Sequence, residues 1–228
     1  MIKRLAIIPA RGGSKRIKNK NLKHFHGKPL IYYSITAAKD SKIFDKIHVS
    51  SDSKKILKYS EKLKIKVDFK RPKSLAKDNI SIRDVLKYVV KKYENNQIYF
   101  DEVWLIYATN PFVTKKTILN CLSEYKKISK KKNNALMTVT NYNYPINWAQ
   151  TLSSKKILKP INLKNIKTRS QQLSNSFCDA GMINIYNKKS FTEKIRVNYF
   201  PFHIPLYSSV DIDNFQDFEL AKRLFKKK

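Results

Sequence analysis

Between Arg4 and Thr140, short apolar runs alternate with segments of helical period, and this alternation limits the fold more than any other feature. Arg4–Pro9 (RLAIIP), Lys46–Ser50 (KIHVS), Ile65–Phe69, Glu102–Ala108 (EVWLIYA) and Asn134–Thr140 read as strands. Pro29–Lys39, Ser53–Leu63, Ile82–Glu94 and Thr114–Ser129 read as helices, with Pro29 in a first turn and Thr114 as a cap. Strands separated by helices predict the α/β class: a mostly parallel sheet with helices on both faces. The loops at the strands' carboxyl ends then form the site.

From Asn141 to about Phe177 the alternation stops, and two prolines with many Asn, Ser and Lys read as an extended loop or arm within one domain spanning 1–228. Regularity returns with a strand at Gly181–Tyr186 and a helix after Asp213, where Asp213 and Gln216 stand at capping-box spacing.

No apolar run approaches the ~20 residues that span a bilayer. The start, MIKRLAIIPARGG, is too short and is broken by Pro9, so it does not read as a secretory signal, and the expected place of action is the cytoplasm, with no membrane partner. Cys121 and Cys178 are isolated, which argues against a disulfide framework and a zinc site. His24, His26, His48 and His203 show no ligand spacing and read as packing or surface residues. The net charge is +31, but 40 of the 48 basic residues are Lys spread through every segment, so the charge reads as compositional drift rather than a nucleic-acid footprint. A positive field of this size still favours an anionic substrate.

Only four glycines occur in 228 residues, where about 16 are usual, and two stand together in AIIPARGGSKRIKNKN. A strand ending at Pro9-Ala10 and entering Arg11-Gly12-Gly13-Ser14 presents unshielded backbone N–H groups that can converge on an anion. Arg11, Lys15, Arg16 and Lys20 add charge, with Asn21 following. The spacing is neither GxxxxGK[ST] nor GxGxxG, so the candidate is a phosphate cradle of another kind. An ordinary tight turn with solvated bases fits the same residues. Near the C-terminus, Val210-Asp211-Ile212-Asp213 places two carboxylates at i and i+2, which share one side of an extended segment while Ile212 turns inward. Such a pair suits Mg²⁺, and equally a capped helix start with Asp213 as N-cap. Asp52, ending a strand at the sheet's carboxyl edge, fits either a site role or the cap of the next helix.

PARGGSKRIKNKN, followed by GKPLIYYSI and HVSSDS, resembles the opening of the cytidylyltransferases that activate nine-carbon acidic sugars. Gly27 in GKPL would make the turn before the first helix. Tyr107-Ala108-Thr109-Asn110-Pro111-Phe112 resembles the YATAPF of the pseudaminic acid branch. Tyr144-Pro145-Ile146, Arg169-Ser170-Gln171-Gln172-Leu173 and Asp179-Ala180-Gly181 are similar to its YPI, RSQDL and HDAG. The chain departs from the pattern at Lys18 (often Pro), Gln172 (Asp), Cys178 (His) and Ser208-Ser209-Val210 (often RVQ).

The resemblance implies a Rossmann-like nucleotide-diphospho-sugar transferase fold with a mixed sheet. It also implies a dimerisation arm at 141–177 that makes a homodimer, and a reaction of CTP with an acidic nine-carbon sugar. By it, Arg11 and Lys20 stabilise phosphate charge, and Asp211 and Asp213 hold Mg²⁺. Ala10, Gly12, Gly13, Ser14 and Asn21 lie along the phosphates, and Arg71 and Ser81 hold the cytidine. Tyr107, Thr109, Arg169, Gln171 and Asp179 also bind substrate. The alternatives are the same chemistry on N-acetylneuraminic acid, legionaminic acid or Kdo, a basic nucleic-acid-binding protein, and a non-catalytic relative.

Overall fold

Arg4–Pro9 forms the first strand, β1, whose Leu5 to Ile8 are completely buried. The computed structural model describes residues 1–164 and 166–225. After β1 come a two-residue hairpin, β2 (His24–Phe25) and β3 (Lys28–Pro29), then α1 (Ile31–Ser41), β4 (Lys46–Ser50), α2 (Lys54–Lys62), α3 (Ile82–Asn95) and β5 (Glu102–Ile106). The chain continues through α4 (Lys115–Ile128), β6 (Asn134–Asn141), a small hairpin of β7 (Gln150–Leu152) and β8 (Leu158–Pro160), β9 (Phe177–Asn187), α5 (Lys189–Thr192), β10 (Asn198–His203) and α6 (Phe215–Leu224).

Six strands form one sheet in the order β10-β6-β9-β5-β1-β4. β4 and β5 flank β1 in parallel, β10 runs parallel to β6, and β9 is antiparallel to both of its neighbours. The mostly parallel sheet expected from the alternation is thus found, and the antiparallel β9 makes it mixed, as the resemblance implies. Successive residues of β1 face opposite layers. Ala6 and Ile8 pack with Ile31 and Ile35 of α1 and Ile118 of α4, while Leu5 and Ile7 pack with Leu86 and Val89 of α3. Glu102 is buried in β5, where its carboxylate accepts from Arg4 Nε at 2.8 Å and from Trp104 Nε1 at 3.2 Å.

A third apolar cluster positions the site. Ile17 from the glycine loop, Phe25 and Leu30 from the β2–β3 region, and Ile212, Phe218 and Ala221 from the C-terminal segment are all buried together. Packing Ile212 there brings residues near 211 against residues near 20, which are far apart in sequence.

Several expectations are corrected. Ile65–Phe69 is extended but makes no ladder with β4; it runs beside that strand through side chains. Lys46 pairs with Asp68 at 2.6 Å, the rings of His48 and Phe69 lie 4.4 Å apart, and Arg71 Nε donates to Ser50 Oγ at 3.0 Å. Pro29 ends β3, so α1 begins at Ile31 rather than at a proline-led turn. The last helix is capped by Asn214 with Asp217, which form a complete capping box, so Asp213 is not the cap. The strand expected at Gly181–Tyr186 starts earlier, at Phe177. Edge strand β10, which runs through Pro201, had no strong period-2 signal. Within 141–177 the chain is short turns plus the β7–β8 hairpin. Among the described residues no helix is long and apolar enough to cross a membrane.

Candidate active site

The segments that follow β1, β4 and β5, together with the stretch before α6, converge on a cavity of about 500 Å³. Of the residues expected in a site, Arg11, Ser14, Lys20, Asn21, Arg71, Tyr107, Thr109, Asp211 and Asp213 line it.

Its first wall is the glycine loop. A Cβ on Gly12 would stand 2.9 Å from Ser53 Cβ, so glycine is required by the close approach to the start of α2. The Gly12 N–H donates to Asp52 Oδ1 at 2.8 Å, which corrects the expectation that this amide is free for an anion. Asp52 therefore braces the loop, and Ser53 occupies the N-cap position of α2. A Cβ on Gly13 would meet nothing within 4 Å, so its surroundings are open. Asn21 is 4% exposed and its Nδ2 donates to Arg11 O at 3.0 Å, fixing the loop's return. Its Oδ1 has no partner among the described residues.

The facing wall is the carboxylate pair. Lys20 Nζ donates to Ile212 O at 2.7 Å and to Asp213 Oδ1 at 3.0 Å, while Arg16 Nη2 reaches Asp213 Oδ2 at 3.1 Å. Burial would raise the pKa of Asp213, but its bonds and charge interactions with Lys20 and Arg16 outweigh that and hold it below the ordinary value. Asp211 accepts from Thr109 Oγ1 at 2.5 Å. Its pKa is raised, chiefly by burial and further by the Asp213 charge, against the lowering bond from Thr109. The i, i+2 placement is as expected: Ile212 is fully buried between two carboxylates that both line the cavity.

Arg71 occupies the side below β4. It is 4% exposed, and its Nη2 donates to Ser50 O while Nε binds Ser50 Oγ. Burial lowers its pKa to about 10, with Asp52 opposing, so it stays charged at neutral pH. Leu75, Ile80 and Ile82 add an apolar surface beside it.

Other expected residues lie elsewhere. Ala10 is buried and its N–H donates to Ser50 O at 2.9 Å, which ties β1 to β4 without reaching the cavity. Ser81 caps α3, accepting from Asp84 N at 3.1 Å and donating to Asp84 Oδ2 at 2.6 Å. Asp179 is outside the cavity lining but adjoins it: Oδ1 accepts from Gly181 N at 2.8 Å, and Oδ2 accepts from the Tyr107 hydroxyl at 3.3 Å. Arg169 and Gln171 are exposed on the arm. Among the departures from the pattern, Cys178 Sγ faces Thr140 O, Ser209 Oγ donates to Leu206 O, and Gln172 is exposed.

Several cavity residues escaped the sequence reading, among them Leu75, Ile80 and Ile82, and the one that carries charge against the glycine loop is Asp78. Asp78 binds Arg11 Nη1 at 2.5 Å and Lys15 Nζ at 2.7 Å. The available signal was its isolation, since it is the one acidic residue between 70 and 83.

A mostly parallel sheet, a cationic glycine loop after its strand β1 and two carboxylates in the same cleft define a nucleotide-handling α/β protein. The family model described as Cytidylyltransferase matches residues 5–228, and the chain belongs to that family of nucleotidyltransferases. It is 36% identical over 228 residues to a pseudaminic acid cytidylyltransferase of Campylobacter jejuni, with 99% of this chain and 97% of that one covered. A CMP-N,N'-diacetyllegionaminic acid synthase of Legionella pneumophila is 28% identical over 232 residues, covering 97% and 96%. Among solved structures, a CMP:2-keto-3-deoxy-manno-octonic acid synthetase complexed with CTP shares the fold, with a TM-score of 0.72, 15% identity, and coverage of 97% of this chain and 98% of that one.

Proposed function

We propose that this chain transfers the cytidylyl group of CTP to pseudaminic acid, releasing pyrophosphate. The observation that carries the reading is the convergence of Arg11, Lys15, Arg16 and Lys20 with Asp211 and Asp213 on one cavity. Full-length identity of 36% to a relative named for this sugar supports the choice of acid.

In this reading the anomeric hydroxyl oxygen bonds to the α-phosphorus as the bond from that phosphorus to the bridging oxygen of pyrophosphate breaks, and the hydroxyl proton is released. Such transfers ask the protein mainly for positioning and charge stabilisation. Arg11 and Lys20 hold the phosphates, Arg71 and the apolar surface of Leu75, Ile80 and Ile82 hold the base, and Asn21 offers its Oδ1 as an acceptor to a ribose hydroxyl. Ser81 acts at one remove, by starting α3 beside the base.

The carboxylates fit a divalent cation, and we assign it as Mg²⁺. Asp211 is half-buried with a single side-chain hydrogen bond, from Thr109, and no ion pair among the described residues, which leaves it undercompensated as an anion. Among the described residues no group of three or more His, Cys, Asp or Glu is placed for a metal. Two carboxylates completed by substrate phosphates are the usual arrangement for Mg²⁺. When bound, the ion would neutralise phosphate charge and orient the nucleophile.

The arm supports a second proposal, a homodimer. Tyr144, Leu152, Ile161 and Leu163 are 78%, 66%, 66% and 77% exposed, an apolar surface that a second copy would cover. Arg169 and Gln171, on the same arm, would then serve the sugar end of a site.

Pyrophosphate release from CTP, assayed in parallel with pseudaminic, legionaminic and N-acetylneuraminic acids and Kdo, tests the function. The fastest turnover is expected with pseudaminic acid. Equal or better use of N-acetylneuraminate overturns the sugar assignment, and no release with any acid overturns the reaction.

A further inference from the structure

We propose that Asp78 is a positioning residue for the phosphate grip, an inference that rests on the CTP reading and extends it to a residue given no role in the sequence reading. Two loops meet at the mouth of the cavity, and both are cationic. Residues 10–23 carry Arg11, Lys15, Arg16, Lys18, Lys20 and Lys23 and no acid. Residues 70–83 carry Lys70, Arg71, Lys73, Lys77 and Arg83, with Asp78 as the single acid. Charges of one sign repel across such a gap, and Asp78 is the group that reverses the sign locally.

Its geometry is that of a bridge. Oδ1 takes Arg11 Nη1 at 2.5 Å and Oδ2 takes Lys15 Nζ at 2.7 Å, so one carboxylate fixes two cations of the opposite loop. Neither cation is used up. A guanidinium has five N–H donors and an ammonium three, so most remain available to an anion in the cavity. Pinning these long side chains before the nucleotide arrives lowers the ordering cost of binding.

A competing effect has the opposite sign: a carboxylate near the phosphates repels them, and if repulsion dominated, removing it would tighten binding. The structure favours positioning, because the Asp78 charge is already matched by two cations.

Titration calorimetry of the full chain with CTP and, separately, with cytidine in the same Mg²⁺ buffer decides between them. For Asp78→Ala, the Kd for CTP should rise about fivefold, the scale of one or two solvent-exposed ion pairs, with cytidine affinity unchanged. Asp78→Asn removes the charge and the Lys15 ion pair but keeps an acceptor for Arg11, and its Kd should fall between those of the native protein and Asp78→Ala. Unchanged or tighter CTP binding by Asp78→Ala overturns the proposal. So does a parallel loss of cytidine affinity in both variants, which would make Asp78 a fold residue. Native protein that binds no CTP refutes the proposed function as well, and is recognisable as that separate failure.

Discussion

A Cβ atom on Gly181 would stand 2.7 Å from both Cβ and Oδ2 of Asp211, and Gly181 itself has a φ of +57°. Glycine is therefore required twice at this position, by the backbone conformation and by the carboxylate seated against it. Asp179 reinforces the turn by accepting the Gly181 N–H, and Thr109 holds Asp211 from the other side. Gly181→Ala should displace Asp211 and lower turnover by about 10- to 100-fold, the usual cost of disturbing a group that orients a metal ligand. Steady-state kinetics with a parallel thermal melt checks this. Native turnover would show that the Asp211 seat tolerates displacement.

Lys20 is the link between the two walls, since it binds both the Ile212 carbonyl and Asp213. Its side chain is only 13% exposed. Lys20→Met should reduce turnover by about 10²- to 10³-fold, as expected for losing one charge-stabilising donor. Circular dichroism should show a folded protein.

His48 supplies a pH dependence of stability away from the site. Tyr93 donates its hydroxyl proton to Asp68, so His48 Nδ1 is the donor in its 3.1 Å contact with Tyr93 Oη, and Nε2 is buried with no partner among the described residues. Burial lowers the His48 pKa to about 4, with the Asp68 charge opposing. The folded state thus resists protonation that the unfolded chain accepts near pH 6.5. This contribution is complete above the unfolded pKa and is lost as the pH falls from about 6.5 towards 4, by about 3 kcal/mol. Urea unfolding across that range should show a smaller decline for His48→Leu than for the native protein, and identical slopes would contradict the assignment.

The capping box at the start of α6 is a local stability element beside Asp213. Asp217 Oδ2 accepts from Asp213 N and Asn214 N, both at 2.9 Å. Asn214→Ala should cost about 1 kcal/mol in chemical denaturation.

Legibility in the sequence followed the physics. The α/β architecture was readable because β1, β5 and α1 to α4 carry strong periodic patterns, and most of their boundaries fall within two residues of expectation. Ile65–Phe69 misled because Phe69 packs against His48 and Tyr93 and Ile65 joins the core under α1, with no ladder formed. Asp213 was confused with a cap because Asp213–Gln216 and Asn214–Asp217 have the same spacing, and only geometry separates them. The convergence of Lys20 with Asp213 depends on burying Ile212 against Ile17 and Phe25, a long-range packing event that no local pattern encodes. Asp78 and the occupied amide of Gly12 were hidden for the same reason: their partners lie 67 and 40 residues away.

The most direct test is the rate of pyrophosphate release from CTP and pseudaminic acid by Asp211→Asn, beside native protein with a matching circular dichroism spectrum. The account predicts a fall of about two orders of magnitude or more in the variant, because the cavity loses the carboxylate that faces the phosphate grip. Near-native turnover by a correctly folded Asp211→Asn would contradict it.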